Sequence, residues 1–290
     1  MSNVFVSVII VTTGRKDYLE PCMESLKKQA DSDMEVNIIY TLPEKLSFCQ
    51  ALNKGIAKSK ADYVLCLNDD VVLDKKFIHE ALAGFNKDRK IGMVSGKILR
   101  RDGVIIDSTG LFLTPWRTAK ERGYGAKDIG QYEKEGFIFG VNGAVAFYRR
   151  KMLEDIKQGE EYFDSDFRFF YEDLDIAWQA QRFGWKAYYV PGAVAYHLRG
   201  GTARIKEGIN KKHAFKYLIN DELQLDLIKN RYLAIIKNES LTDFILHLPF
   251  ILAYDLIACA FLLFYKPGLF KNIFLNLKYI RSAFKKRRRI

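Results

Sequence analysis

The segment Asp62–Leu73, DYVLCLNDDVVL, decides how the first half of the chain is interpreted. Its first six residues have the composition of a buried strand, and apolar residues resume at Val71. Between them stand Asn68, Asp69 and Asp70, with no basic residue among them. These residue types favour turns and helix caps, and short carboxylate motifs also bind divalent cations. The segment alone leaves both interpretations open.

Predicted strands and helices alternate around this segment. Residues 4–11 are β-rich and almost wholly apolar, which is typical of a parallel strand covered on both faces. Helices are expected at about 18–29 and 47–59, with the strand EVNIIYTL between them. A further helix, KKFIHEALAGF, and a further strand, IGMVSGKIL, follow. The alternation predicts an α/β fold with a Rossmann-like, mostly parallel sheet.

Polar side chains follow two of the predicted parallel strands. Thr12, Thr13 and Arg15 come after the first strand, and the Asn68–Asp70 motif comes after the third. Ligands of such sheets bind beyond the carboxyl ends of the strands. We therefore expect the two loops to lie close together.

A second acidic cluster, Glu172 and Asp173, begins a predicted helix directly after the aromatic run FRFFY. Acids in a first turn stabilise the helix dipole by about 0.3–1 kcal/mol each, which is a purely structural explanation. Carboxylates beside aromatic surface also tend to have raised pKa values, which suits general-base catalysis. His197 follows a short predicted strand and precedes the glycine-rich basic loop LRGGTAR, so a ligand role competes with a structural one.

Composition and charge narrow the class of protein. The chain has 290 residues, 49% apolar and 28% charged, as expected of a globular protein with a sizeable core. Its formal charge is +11, but the last ten residues carry six of the basic groups, and about +5 remains without them. None of the four cysteines forms a Cys-x-x-Cys pair, which argues against a zinc ribbon.

The C-terminal region differs from the rest of the chain. Residues 241–270 are strongly apolar, but their longest unbroken run, Leu256–Tyr265, has ten residues. Spanning a bilayer takes about 20 residues. The pattern favours an interfacial helical hairpin over a transmembrane helix, with the basic tail on anionic lipid at about 1 kcal/mol per basic group.

Several motifs together resemble the family 2 glycosyltransferases, and within them the bacterial rhamnosyltransferases of polysaccharide assembly. These motifs are Asn-Asp-Asp after the third strand, GVNGAVAFYRR, FDSDFRFFYEDLDIAWQAQRFGWKAYYVP and AYHLRGG. The resemblance covers about residues 4–235. It implies a glycosyltransferase A-type catalytic domain at 1–235 that inverts the anomeric centre and needs Mg²⁺ or Mn²⁺. A membrane-associating helical region would then occupy 236–290.

The resemblance also implies a role for individual residues. Asp173 matches the catalytic base, and Glu172, the second expected catalytic residue, would orient the acceptor or the base. Asp70 and His197 match the metal ligands. The expected nucleotide-sugar contacts are Thr12, Thr13, Arg15, Asn53, Asn68, Asp69 and Arg199, with Arg204 and Lys206 as further basic groups. The expected acceptor contacts are Asn142, Gly143 and Trp116, the last in the loop-rich segment 101–140.

One departure from the family pattern concerns the nucleotide base. Many members follow the second strand with Val-Asp-Asn-x-Ser, whose Asp helps to hold the base. This chain has residues 39–44, IYTLPE, and Glu44 is the sole carboxylate there. The sequence therefore leaves the donor base undecided.

The function implied is transfer of a sugar to a glycan or lipid-linked sugar acceptor, with rhamnose from dTDP-rhamnose as the expected donor. Such an enzyme would act as a peripheral protein on the cytoplasmic face of the bacterial inner membrane, without a nucleic-acid partner. A sugar nucleotidyltransferase is one alternative, but TTGRKD has a single glycine and makes a poor triphosphate loop. The basic tail also admits a nucleic-acid-binding protein.

Overall fold

The computed structural model describes residues 5–29, 33–198, 221–272 and 277–287, which contain eleven strands and nine α-helices. The strands are β1 (Phe5–Thr12), β2 (Asp33–Tyr40), β3 (Tyr63–Asn68), β4 (Val71–Leu73), β5 (Ile91–Arg100), β6 (Ile106–Ser108), β7 (Leu111–Leu113), β8 (Ala119–Glu121), β9 (Gly136–Ile138), β10 (Val145–Arg149) and β11 (Lys186–His197). The helices are α1 (Lys16–Lys27), α2 (Phe48–Lys58), α3 (Phe77–Phe85), α4 (Arg150–Ile156), α5 (Glu172–Arg182), α6 (Asp221–Asn238), α7 (Leu241–Tyr265), α8 (Pro267–Asn272) and α9 (Leu277–Lys286). The alternation expected of an α/β fold is confirmed.

The main sheet has the strand order β2-β1-β3-β10-β5-β11-β4, with β6 paired to β5 and β9 to β11. β1 runs parallel to β2 and β3, and β5 runs parallel to β11. β10 lies between β3 and β5 and is antiparallel to both. The sheet is therefore mixed but mostly parallel, and the carboxyl ends of β1, β3 and β5 share one edge.

The short strand expected before His197 is the end of the long strand β11. A bulge between Val190 and Val194 interrupts its pairing with β5. A side chain at Gly96 of β5 would begin 2.0 Å from the carbonyl oxygen of Ala193, so only glycine lets the bulge pack there. The strand then continues to His197, which reaches the same edge as the ends of β1 and β3.

Both faces of the sheet are covered by apolar layers, as the apolar strands predict. Ile9 and Cys66 point to a layer built with α2, α4 and α5. Val8 and Leu65 point to a layer built with α1 and α3. The alternation along β1 and β3 follows from the two-residue period of a strand.

The C-terminal helices bear on two expectations. The boundary placed at residue 235 falls inside α6, which continues to Asn238. Residues 241–265 form one helix through Pro249 rather than a hairpin. At 1.5 Å per residue this helix is about 37 Å long. Among the described residues α7 is the one helix long and apolar enough to cross a membrane, and 11% of its apolar window is buried.

Part of the basic tail folds back on residues 164–166 and on the end of α6. Lys286 of α9 contacts Oδ1 of Asp164 at 2.5 Å and Oδ2 of Asp166 at 2.8 Å. Arg287 donates hydrogen bonds to the carbonyl oxygens of Ile236 and Glu239, both at 2.6 Å. These two basic groups therefore have partners within the chain and do not serve only as a lipid-facing tail.

Candidate active site

The loops after β1 and β3 meet, as their positions in the sequence predict. Oγ1 of Thr12 donates a hydrogen bond of 2.5 Å to Oδ2 of Asp69 and accepts one of 2.8 Å from the N–H of Gly14. Burial raises the pKa of Asp69, although the hydrogen bond from Thr12 opposes this. Asp69 thus joins the two loops that form one wall of the candidate site.

Asp70 and His197 approach each other because β4 pairs with the end of β11, with Val71 opposite His197. Nε2 of His197 lies 3.3 Å from Oδ1 of Asp70, and Nδ1 lies 2.8 Å from Oδ2 of the fully buried Asp107. Burial lowers the pKa of His197, but the hydrogen bonds to Asp107 and Asp70 outweigh it and raise that pKa to about 9.

These side chains fit a divalent cation that also binds a substrate phosphate. Asp107 holds one imidazole nitrogen, which leaves Nε2 of His197 beside Asp70 for a metal, as in a carboxylate–histidine–metal arrangement. Oδ1 of Asn68 is buried and has no hydrogen-bond partner in the described part of the chain. Among the described residues no group of three or more His, Cys, Asp or Glu side chains forms a metal cluster. Mg²⁺ or Mn²⁺, which share their shell with phosphate and water, suit this sparse set.

The carboxylates of Glu172 and Asp173 stand at the N-terminus of α5. Asp173 accepts hydrogen bonds from the N–H of Gly143 at 3.2 Å and of Leu174 at 2.7 Å. Burial raises the pKa of Asp173, and burial together with the Asp173 charge raises the pKa of Glu172 to about 8. Both pKa values are raised, which is the direction expected of carboxylates that follow the aromatic run FRFFY.

Glu121 connects the two halves of the site. It accepts a hydrogen bond of 2.6 Å from Nδ2 of Asn142 and another from the hydroxyl of Ser108, which follows Asp107 in β6. Burial, the nearby Asp173 and the nearby Asp107 raise the pKa of Glu121 to about 8. Asn142 and Gly143, expected on the acceptor side, thus both bond to carboxylates of this cluster.

Sequence reasoning missed Asp107 and Glu121. Both acids belong to short strands of the loop-rich segment 101–140. Asp107 lies within β6, and Glu121 is the last residue of β8. Asp107 follows two isoleucines, which is the same signal of an acid at the end of an apolar run that singled out Asp70. No comparable local signal marks Glu121, which stands between Lys120 and Arg122.

Two predicted contacts have structural partners instead. The amide of Asn53 donates to the carbonyl oxygen of Phe163 at 2.7 Å and accepts from the N–H groups of Tyr162 and Phe163. Those three bonds use its side chain to hold a loop, and its role as a nucleotide contact stays a prediction. Trp116 packs edge-on against Phe250 of α7 at a ring distance of 5.7 Å.

The remaining predicted donor contacts are less constrained. Thr13 is exposed, and Arg15 forms an exposed pair with Asp17 at 2.7 Å. Arg199, with Arg204 and Lys206, lies outside the described residues.

Glu44 is the one carboxylate after β2 that the sequence offers for the nucleotide base. Glu44 pairs with Lys54 on the surface, while Tyr40 at the end of β2 is 47% exposed.

Two solved glycosyltransferases share the fold. The chain superposes on GalNAc-T7, solved with UDP, GalNAc and Mn²⁺, with a TM-score of 0.57 and 13% identity over 81% of this chain and 48% of that one. It superposes on a mannosyltransferase from Pyrobaculum calidifontis, solved with GDP-Man and Mn²⁺, with a TM-score of 0.51 and 14% identity over 96% of this chain and 75% of that one. At such identity the likeness shows the fold alone, a glycosyltransferase A-type fold.

Sequence comparison shows the family. The chain is 26% identical over 198 residues to a poly-β-1,6-N-acetyl-D-glucosamine synthase of Staphylococcus epidermidis, and 25% identical over 195 residues to the enzyme of that name from Staphylococcus aureus. The matches cover 66% of this chain and 42% of each relative, so the chain spans less than half the length of these relatives. The model of the glycosyltransferase like family 2 matches residues 2–214, and the chain belongs to that family.

Proposed function

We propose that this chain is an inverting, metal-dependent glycosyltransferase that moves a sugar from a nucleotide-diphosphate donor to a glycan or lipid-linked sugar acceptor. One observation carries the proposal. Glu121 accepts hydrogen bonds from Ser108, the chain neighbour of Asp107, and from Asn142, the chain neighbour of Gly143, whose N–H donates to Asp173. The Asp70–His197–Asp107 group and the carboxylate of Asp173 therefore belong to one cluster. A cation-binding group and a carboxylate base within one cluster are what sugar transfer from a diphosphate requires.

The chemistry assigned to the carboxylates follows from their environment. Asp173 takes the proton of an acceptor hydroxyl, whose oxygen then bonds to the anomeric carbon as the bond to the diphosphate oxygen breaks. A raised pKa makes the Asp173 carboxylate a better proton acceptor. The N–H of Gly143 holds the carboxylate in place. A single displacement of this kind inverts the configuration and needs no covalent nucleophile.

The cation is assigned to Asp70 and His197. Bound there, Mg²⁺ or Mn²⁺ would neutralise the charge that develops on the leaving diphosphate. Asp107 orients the imidazole so that Nε2 faces Asp70. The presence of Mn²⁺ in both solved structures of this fold supports the assignment.

Two lines of support favour different donor sugars. The motif resemblance implies rhamnose from dTDP-rhamnose, whereas the curated relatives are named for a polymer of N-acetylglucosamine. We keep rhamnose as the first candidate and UDP-N-acetylglucosamine as the second. The polymer in those names also supports a role in bacterial surface polysaccharide synthesis.

A membrane role is assigned to α7. Nine of its large apolar side chains are more than half exposed, and Trp116 of the predicted acceptor loop packs on Phe250 of this helix. Arg231 of α6 binds both the carbonyl oxygen of Trp116 at 2.6 Å and Asp255 of α7 at 2.6 Å. A helix in the membrane would therefore carry the acceptor loop close to the lipid, which suits a lipid-linked acceptor on the cytoplasmic face.

A donor screen tests the proposal. The full chain is incubated with dTDP-rhamnose, UDP-N-acetylglucosamine, UDP-glucose or GDP-mannose, with Mn²⁺ or EDTA, and nucleoside diphosphate release is measured. We expect one donor to be turned over with Mn²⁺, EDTA to stop turnover, and Asp173→Asn to fold normally and lose at least about 100-fold in rate. Release of pyrophosphate from a nucleoside triphosphate and a sugar phosphate would instead identify a nucleotidyltransferase. Turnover undiminished by EDTA would overturn the metal assignment.

A further inference from the structure

The loop that leads into the catalytic helix has an unfavourable backbone conformation. Arg168, Phe170 and Tyr171 have φ values of 58°, 70° and 68°. Residues other than glycine rarely adopt this left-handed backbone region, and they stay there only where the surrounding structure holds them. Tyr171 is the last residue before α5, so its conformation sets the direction in which Glu172 and Asp173 leave the loop.

Asn230 of α6 holds that loop. Its Nδ2 lies 2.7 Å from each of the carbonyl oxygens of Phe167, Phe169 and Phe170. Asn230 is fully buried, and its Oδ1 has no hydrogen-bond partner in the described part of the chain. Because all three backbone partners are acceptors, the amide must present its nitrogen to them.

Two lysines of α6 secure the same loop at its ends. Nζ of Lys229 donates to the carbonyl oxygen of Asp166 at 2.7 Å. Lys237, 1% exposed, lies between Oδ2 of Asp164 at 2.7 Å and Oδ2 of Asp175 at 2.6 Å. Helix α6 thus holds the chain at three places, which are the start of the loop, the loop itself and the first turn of α5.

We propose that Asn230 is a positioning residue for the base Asp173, which acts by holding the backbone of residues 167–171 in its left-handed course. The inference rests on the proposed function, because it assumes that Asp173 is the base. Helix α6 lies beyond residues 2–214, the part that the family model matches, so this support comes from the C-terminal helices.

The donor side of the site gives the inference a specific signature. Thr12, Asp69 and Asp70 lie at the ends of β1 and β3, and none of the hydrogen bonds of Asn230 reaches those strands. Loss of the Asn230 contacts should therefore lower kcat and leave the KM for the donor unchanged. Partial unfolding would also lower the apparent kcat without changing KM, so kcat is expressed per folded molecule, and hydrogen exchange separates the two cases.

The test compares Asn230→Asp with wild type in the full chain. The replacement keeps the shape and turns the donor nitrogen into an oxygen that faces three carbonyl oxygens. We expect kcat to fall about 10- to 100-fold, as displacement of a catalytic group by about 1 Å does, with the donor KM within about twofold. Hydrogen exchange of residues 164–174 should become faster, while exchange in β1 and β3 should not change.

Ile235→Ala is the matched control. Ile235 is buried on the same helix and makes none of the loop hydrogen bonds, so this variant reports the effect of a weakened α6 alone. Should Asn230→Asp not fold, Asn230→Ser, which keeps one donor, takes its place. An unchanged kcat, or an equal acceleration of exchange in both variants, would overturn the inference. If wild type turns over no nucleotide sugar, the proposed function fails, and the exchange measurement still decides whether Asn230 holds the loop.

Discussion

Nδ1 of His197 lies 2.8 Å from Oδ2 of Asp107, a residue ninety positions earlier in the chain. Asp107 is fully buried in β6, and its carboxylate fixes which imidazole nitrogen faces Asp70. The orientation of the candidate metal ligand therefore depends on a residue that would not itself touch the metal.

Asp107→Asn should weaken metal binding more than it weakens the fold. An amide can still accept a hydrogen bond from His197, but it lacks the charge that favours this orientation. Loss of such a partner typically lowers metal affinity about 10- to 100-fold. We expect the Mn²⁺ concentration for half-maximal activity to rise by about that factor. Asp88→Asn, which removes an exposed pair with Lys186, serves as the control. Equal metal dependence in both variants would argue against the assigned role.

Gly143→Ala should impair catalysis in a protein that still folds. The added methyl group would lie 3.4 Å from Cβ of Asp173 and 3.4 Å from Oε1 of Glu172, which are ordinary contact distances. It would cover the carboxylates on the side from which Gly143 approaches. We expect kcat/KM for the acceptor to fall about tenfold, with the donor KM and Tm close to wild type. A loss of Tm without a change in acceptor kinetics would show that the glycine serves the fold alone.

Glu121→Gln should stabilise the protein increasingly as the pH rises. The pKa of Glu121 is raised from 4.5 to about 8, so the folded state binds this proton more tightly than the unfolded state. The wild-type stability contributed by the proton is complete below about pH 4.5 and is lost as the pH rises towards 8. Glutamine does not titrate and escapes that loss.

Thermal unfolding at pH 5 and pH 8.5 measures this effect. The difference in Tm, variant minus wild type, should increase by at least about 2 °C between the two pH values. Glu135→Gln, which removes an exposed partner of Lys87, controls for the loss of a carboxylate. A Tm difference independent of pH would contradict the raised pKa of Glu121.

Helix α7 should bind vesicles mainly because its exposed apolar side chains become buried in the lipid, and less through attraction between basic side chains and anionic lipid. Leu256 and Ile257 are 71% and 67% exposed, whereas Lys286 and Arg287 already bond within the chain. We expect the full chain to float with vesicles of phosphatidylglycerol and phosphatidylcholine and to stay bound in high salt.

The double variant Leu256→Glu and Ile257→Glu should reduce flotation at least about tenfold, because charge in the apolar layer is costly. Ile129→Glu, at a site that is 82% exposed on the catalytic region, is the matched control. If high salt abolished flotation and the double variant floated like wild type, the basic tail and not α7 would be the membrane-binding element.

The local sequence pattern was enough to predict the α/β fold class and the positions of the main motifs. Apolar runs and helical periods depend on neighbouring residues, and so the α/β alternation and the meeting of Thr12 with Asp69 could be predicted. The same local rules placed Asp70, Asp173 and His197 at strand ends or a helix start. Their catalytic and metal-binding roles remain predictions.

Periodicity reports whether a residue is buried and not which partner it meets, so other features needed the tertiary structure. The contact of Asp107 with His197 and the three loop hydrogen bonds of Asn53 join residues about ninety or more positions apart. The antiparallel course of β10 likewise follows from its pairing with β3 and β5, which are distant in the sequence. The sequence by itself determined an α/β glycosyltransferase scaffold with its acidic motifs. Only the tertiary structure decided that Glu121 and Asp107 connect those motifs, because their hydrogen bonds form between segments that the fold brings together.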